Sequence, residues 1–211
     1  MQVLTALSVL HARGIMHRNL TGQAVLLSRG GKAQVAILDL ARERPRDGAP
    51  LSPWAFARAQ IAPECLLSAR RYGSEADVYS VGMLLVMMLG RDEVAKHKST
   101  PEESLADIFR AFGTTIDDVG DLARLASWED SLLPDPDDPE ERESCGDLWR
   151  ALDKRELALT PDDKELMRSL LTVDPTRRMT VDAALDHPAF EHEVRERAFR
   201  RTPSHYRCLV F

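Results

Sequence analysis

Cysteine is scarce in this chain. Only Cys65, Cys145 and Cys208 occur in 211 residues, an odd number with no C-x-x-C spacing. That set excludes a disulfide framework and a zinc-finger-type site, and it suits reduced thiols in the cytosol or nucleus. An excess of basic charge is also missing. Against 28 Lys and Arg stand 34 Asp and Glu, a net charge of −6, so no broad electrostatic attraction to nucleic acid is expected. The first residues, MQVLTALSVLHARG, lack the basic stretch, apolar run and small-residue cleavage site of a signal peptide. The longest apolar run, Val81 to Leu89, is about half of a bilayer span. What is present is a hydrophobic content of 44%, enough to fill the core of one domain of ordinary size.

Val3, Leu4, Leu7, Leu10 and His11 recur at helical spacing and predict an amphipathic helix that stops near Gly14. Residues 24 to 27 and 34 to 38, joined by the Ser28-Arg29-Gly30-Gly31-Lys32 turn, read as a short β-hairpin. Residues 42 to 60 hold three prolines and show no clean period, which reads as a long loop. From Asp77 the run VYSVGMLLVMML is apolar on every side, the composition of a helix buried all round. A second, amphipathic helix covers Ser104 to Phe112, and PDPDDPEERE, residues 134 to 143, reads as a charged, proline-broken surface loop. Thr160-Pro161-Asp162-Asp163 is a helix start, with Leu166, Met167, Leu170 and Leu171 as its buried stripe and Asp174-Pro175 as its end. A last helix runs from Thr180 to Leu185 and closes at His187-Pro188. No internal repeat and no second domain is visible, so a mainly α architecture with one small β-hairpin is expected.

The order of helix, HRN, hairpin, DLA, loop, APE, buried helix and Arg-containing final helices resembles the eukaryotic protein kinases. IFRAFGT at 108 to 114 and LLTVDPTRRMTVDAALDHPAF at 170 to 190 are similar to the cyclin-dependent kinase (CMGC) branch. The resemblance covers roughly residues 1 to 192 and implies the C-terminal lobe of that fold, with the N-terminal lobe absent and residues 193 to 211 as a basic tail. An apolar face that packs on the smaller lobe would then be exposed. The resemblance assigns structural roles to His17 and Arg18 of the catalytic loop and to Asp77, which would bond that loop's backbone. It also pairs Glu64 of Ala62-Pro63-Glu64 with Arg178 in a buried ion pair.

The chemistry of this family needs an Asp to accept the hydroxyl proton, a Lys near the γ-phosphate and an Asn that holds Mg²⁺. In GIMHRNLTGQAVLL, residues 14 to 27, those positions hold Asn19, Thr21 and Ala24. An Asn amide cannot accept a proton at neutral pH, and general-base help is worth ~10² to 10⁴ in rate. Ala24 has no oxygen for a metal, and Thr21 has no positive charge for the transition state. Asp39 of Asp39-Leu40-Ala41 is the residual Mg²⁺ position by resemblance; the alternative is an Asp that caps a turn. Ala57 replaces the threonine used near the phosphoacceptor, and Ala59-Gln60-Ile61 replaces the usual Trp-Tyr-Arg. No cofactor is expected, and Mg-ATP enters by resemblance only.

Two regulatory patterns accompany these. Ser52-Pro53 matches the activation-loop phosphosite of cyclin-dependent kinases, with Arg18 and Arg44 matching two of its phosphate-clamping arginines; the alternative is a Ser and arginines in water. Cys208-Leu209-Val210-Phe211 fits a C-a-a-X prenylation box, behind five arginines in residues 195 to 207; the alternative is an accidental match. The expected role is a catalytically inactive, protein-binding or regulatory module in cytoplasm or nucleus. It would engage kinase substrates, scaffolds or regulators, with no nucleic acid, and with a membrane only through prenylated Cys208. The rivals are a Ser/Thr protein kinase represented by an incomplete chain, and a decaying copy.

Overall fold

The computed structural model describes residues 1–45, 47–52, 60–90, 100–153 and 158–190. The chain opens with α1 (Gln2–His11) and β1 (Ile15–Met16), followed by a 3-10 turn at Gly22–Ala24 and the strands β2 (Val25–Leu27), β3 (Ala33–Val35) and β4 (Arg42–Glu43). The helices α2 (Pro63–Leu66), α3 (Glu75–Met88), α4 (Pro101–Phe112), α5 (Ile116–Val119), α6 (Pro139–Ser144), α7 (Asp147–Leu152), α8 (Pro161–Leu170) and α9 (Val181–Leu185) come after them.

α3 organises the fold because its sequence is apolar on every face. One side contributes Tyr79, Met83 and Val86 to a core shared with α2, α4 and α7. The other contributes Val78, Val81 and Leu84 to a core shared with α1, α8 and α9. Gly82 of α3 packs tightly on the residue that follows α8: a Cβ there would stand 2.7 Å from both Cγ and Cδ2 of Leu171. Gly82→Ala should therefore destabilise the chain by roughly 1–3 kcal/mol through overpacking, read as a lower urea midpoint at unchanged slope.

Helix starts follow their caps. Thr160 accepts the N–H of Asp163, and Asp163 returns a bond to the Thr160 N–H; Thr180 caps α9 through the N–H of Ala183. Thr100 builds the same reciprocal box with Glu103, so α4 begins at Pro101, three residues before the start read from its apolar stripe. Asp138 accepts from the N–H groups of Glu140 and Glu141, which turns the second half of the expected acidic loop into α6. α8 ends at Leu170 and not at Asp174, because the carbonyls of Thr172 and Val173 turn out of the helix to accept from Arg178.

The expectation of a mainly α lobe with a single hairpin needs correction. β2 and β3 do form that hairpin, with Val25 opposite Val35 and Leu27 opposite Ala33. A second two-stranded sheet pairs β1 with β4, Ile15 opposite Glu43 and Met16 opposite Arg42, and β4 lies at the start of the stretch expected to be loop. Strands of two residues carry no periodicity and exist only through their partner. β3 stops at Val35, and at Ile37 the backbone has a φ of +57°, a conformation that a β-branched residue adopts only under strain.

Candidate active-site loop

Asp77 sits in the first turn of α3, 1% exposed, and fixes the loop in front of it. Its Oδ2 accepts from the backbone N–H of His17 at 2.8 Å and its Oδ1 from that of Arg18 at 2.7 Å. His11 Nε2, from the last turn of α1, reaches Oδ2 at 2.9 Å. These bonds to a carboxylate are of the stronger, charge-assisted class. They hold Arg18 at a φ of +63°, which an arginine does not favour by itself.

The two side chains of the loop tie it to neighbouring segments. His17 Nδ1 accepts from the Asn19 N–H at 3.3 Å, so the proton lies on Nε2, which donates to the carbonyl of Ala36 at 3.0 Å. Arg18 donates from Nε to the Leu40 carbonyl at 2.7 Å and from Nη1 to the Tyr72 hydroxyl at 3.1 Å. Burial raises the Tyr72 pKa, and the bond from Arg18 works in the opposite direction.

The residues that the resemblance sets at the chemical positions have other occupations in the structure. Asn19 is half-buried. The Thr21 hydroxyl accepts the Ala24 N–H at 3.2 Å and caps the Gly22–Ala24 turn. Ala24 is fully buried, and its carbonyl accepts from the Ala36 N–H at 2.8 Å. Asp39 is exposed, and so are the apolar residues Ile37, Leu38 and Leu40 around it. Ala24 thus offers no metal ligand, Thr21 no cation, and among the described residues no three His, Cys, Asp or Glu side chains converge as a metal set.

Glu64, from α2, meets Arg178 through two parallel bonds of 2.8 and 2.9 Å, with both side chains buried. Arg178 spends its remaining donors on the carbonyls of Thr172, Glu75 and Val173, so all five are satisfied. Burial alone would weaken its hold on the proton; the Glu64 carboxylate outweighs this and keeps the pKa above its usual value. The guanidinium also lies 5.1 Å from the centre of the Tyr79 ring, and burial pushes the pKa of that phenol well up. Burial likewise raises the Cys65 thiol, next to Glu64, which marks it as a packing residue.

Of the Trp-Tyr-Arg substitutes, Gln60 and Ile61 serve the core. Gln60 Nε2 approaches Met87 Sδ at 2.8 Å, the Gln60 carbonyl accepts from Ser80 Oγ, and Ile61 is buried. Ser52 is exposed, and its carbonyl accepts from the Tyr72 hydroxyl at 2.6 Å. Arg44 Nη1 stands 3.1 Å from where a Cβ on Gly73 would lie, which brings it to the same corner as Tyr72. Tyr72 is the residue that reading the sequence misses: nothing in RRYGSEAD distinguishes it from a core aromatic. Pro53, Ala57, Ala59 and the tail with Cys208 lie outside the described residues.

Comparison with known proteins gives the family of this chain. The family described as Protein kinase domain matches residues 1–190. Cyclin-dependent kinase G-2 of Oryza sativa subsp. indica is 28% identical over 201 residues, covering 90% of this chain and 26% of its own. Mitogen-activated protein kinase spk1 of Schizosaccharomyces pombe is 31% identical over 193 residues, covering 89% and 48%. Among solved structures, the CAK complex of Chaetomium thermophilum bound to ATP-gamma-S aligns with a TM-score of 0.70 and 23% identity over 90% of this chain and 56% of that one. The chain thus spans about a quarter to a half of the length of the curated relatives it matches.

This match also corrects the expectation of an isolated C-terminal lobe with the N-terminal lobe absent. The family match runs over residues 1–190, both small sheets included. With 190 of its 211 residues matched and cyclin-dependent kinases among its relatives, the chain belongs to the protein kinase domain family, in the company of the cyclin-dependent (CMGC) kinases.

Proposed function

We propose that this kinase-family domain, residues 1–192, does not transfer phosphate and works as a protein-binding or regulatory module. The observation that carries the reading is the division of labour within one loop. His17 and Arg18 keep their anchors on Asp77, while Asn19 has no basic oxygen, Thr21 caps a turn and Ala24 is a core residue. The residues present do not fit Mg²⁺ and a triphosphate: the position that the resemblance gives to the metal holds the exposed carboxylate of Asp39, with Ala24 in place of a second ligand. The partners this reading calls for are proteins that dock on related kinase domains, namely substrates, scaffolds or regulators, in cytoplasm or nucleus. Ser52 is the candidate phosphosite, beside Arg18 and Arg44, and Cys208 the candidate prenylation site.

A thermal-shift titration tests the nucleotide part directly. Mg-ATP at millimolar concentration should leave the melting temperature within about 1 °C of the nucleotide-free value, because a ligand stabilises only in proportion to its binding. A saturable, Mg²⁺-dependent rise contradicts the reading. One observation favours the rival, a Ser/Thr kinase represented here in part: Asp39 is retained and exposed. A Gly-rich loop and a strand Lys in frame upstream would support it, yet would leave Asn19, Thr21 and Ala24 as they are.

A further inference from the structure

Tyr72 links the Arg18 loop to the segment that ends at Ser52. Its hydroxyl accepts from Arg18 Nη1 at 3.1 Å and donates to the Ser52 carbonyl at 2.6 Å. Arg18 is itself held, by its N–H on Asp77 and its Nε on the Leu40 carbonyl. A hydroxyl that accepts from a guanidinium becomes a better donor, and the short second bond fits that polarisation. Next to Ser52, the Leu51 N–H donates to the Arg70 carbonyl at 2.7 Å, and the Leu51 side chain is buried in the same core cluster as Tyr72.

We propose that Tyr72 is a positioning residue that docks residues 49–52 on the Arg18 loop, so that this segment holds its place without a phosphate on Ser52. The relay runs from Asp77 through Arg18 and Tyr72 to a backbone carbonyl. Arg18 is the cation that bonds the Tyr72 hydroxyl, and the acceptor on Ser52 is its backbone carbonyl. Any partner that reads this corner of the domain therefore meets a built surface in the unmodified chain. The inference concerns the loop of the Ser52 proposal but stands without it and without any statement about catalysis.

Amide hydrogen exchange of the full chain, followed by NMR, tests it at the Leu51 N–H. In Tyr72→Phe that amide should exchange about tenfold faster, the effect of losing one relayed hydrogen bond, with the amides of α3 unchanged. In Ser52→Ala it should exchange at the wild-type rate. Unchanged exchange in Tyr72→Phe overturns the proposal, and so does an equal acceleration throughout α3, which would make Tyr72 a general core residue. Acceleration in Ser52→Ala overturns it as well, since the side chain would then hold the segment.

Discussion

Asp77→Ala should destabilise the domain by roughly 3–5 kcal/mol, because each buried donor left without an acceptor costs about 1–3 kcal/mol. The substitution strands the N–H groups of His17 and Arg18 and removes the partner of His11. It also releases Arg18 from its left-handed backbone, and with it the bonds to Leu40 and Tyr72 that depend on that orientation. For a chain of this length such a loss lowers the melting temperature by roughly 6–20 °C. Circular dichroism melting of Asp77→Ala beside Asp39→Ala measures it. The exposed Asp39 should shift stability by no more than about 0.5 kcal/mol, so equal melting temperatures for the two variants would contradict the anchoring role.

Glu64→Ala should cost a similar amount, roughly 3–5 kcal/mol, by leaving the Arg178 guanidinium buried and unpaired. The environment of Arg178 adds a second, less obvious expectation. Three carbonyls, those of Thr172, Glu75 and Val173, accept from this one side chain. Removing the whole pair with Glu64→Leu and Arg178→Met therefore does not bring stability back to the wild-type value, although apolar replacement of a buried pair is often neutral. Chemical denaturation of the single and double variants in one cycle checks both statements. A double variant as stable as wild type would show that the carbonyls find other donors.

The parts of this fold that are legible in the sequence are those whose information is local. Thr160-Pro161-Asp162-Asp163 carries its cap, its N1 proline and its returning acid within four residues, and α8 begins there. The run after Asp77 announces a helix without a solvent face, and α3 has none over most of its length. β1 and β4 are invisible for the opposite reason: Ile15–Met16 and Arg42–Glu43 are strands only because each pairs with the other. The end of α8 is set by Arg178 capturing carbonyls, which no window over residues 161 to 174 contains.

The site divides in the same way. Which residues stand at the positions that the resemblance gives to the chemistry can be read from HRNLTGQA, but most of what they do instead cannot. That Thr21 caps a turn is local, but that Ala24 and Ile61 fill the core depends on tertiary packing, and Gln60 reaches Ser80 and Met87 across 20 or more positions. Glu64 and Arg178 stand 114 positions apart in sequence and share two hydrogen bonds. Only the resemblance joins them beforehand; periodicity and spacing do not. Tyr72 belongs to neither group, since its relay from Arg18 to the Ser52 carbonyl uses a backbone acceptor that leaves no trace in residue type.

The central claim, a kinase-family domain that keeps the loop and has lost the reaction, is tested most directly by phosphoryl transfer from radiolabelled Mg-ATP to a mixed Ser/Thr peptide pool. The protein should be expressed at its natural length, with Asp39→Ala measured alongside. The account predicts incorporation indistinguishable from a protein-free blank for both. Transfer above the blank that disappears in Asp39→Ala would contradict it.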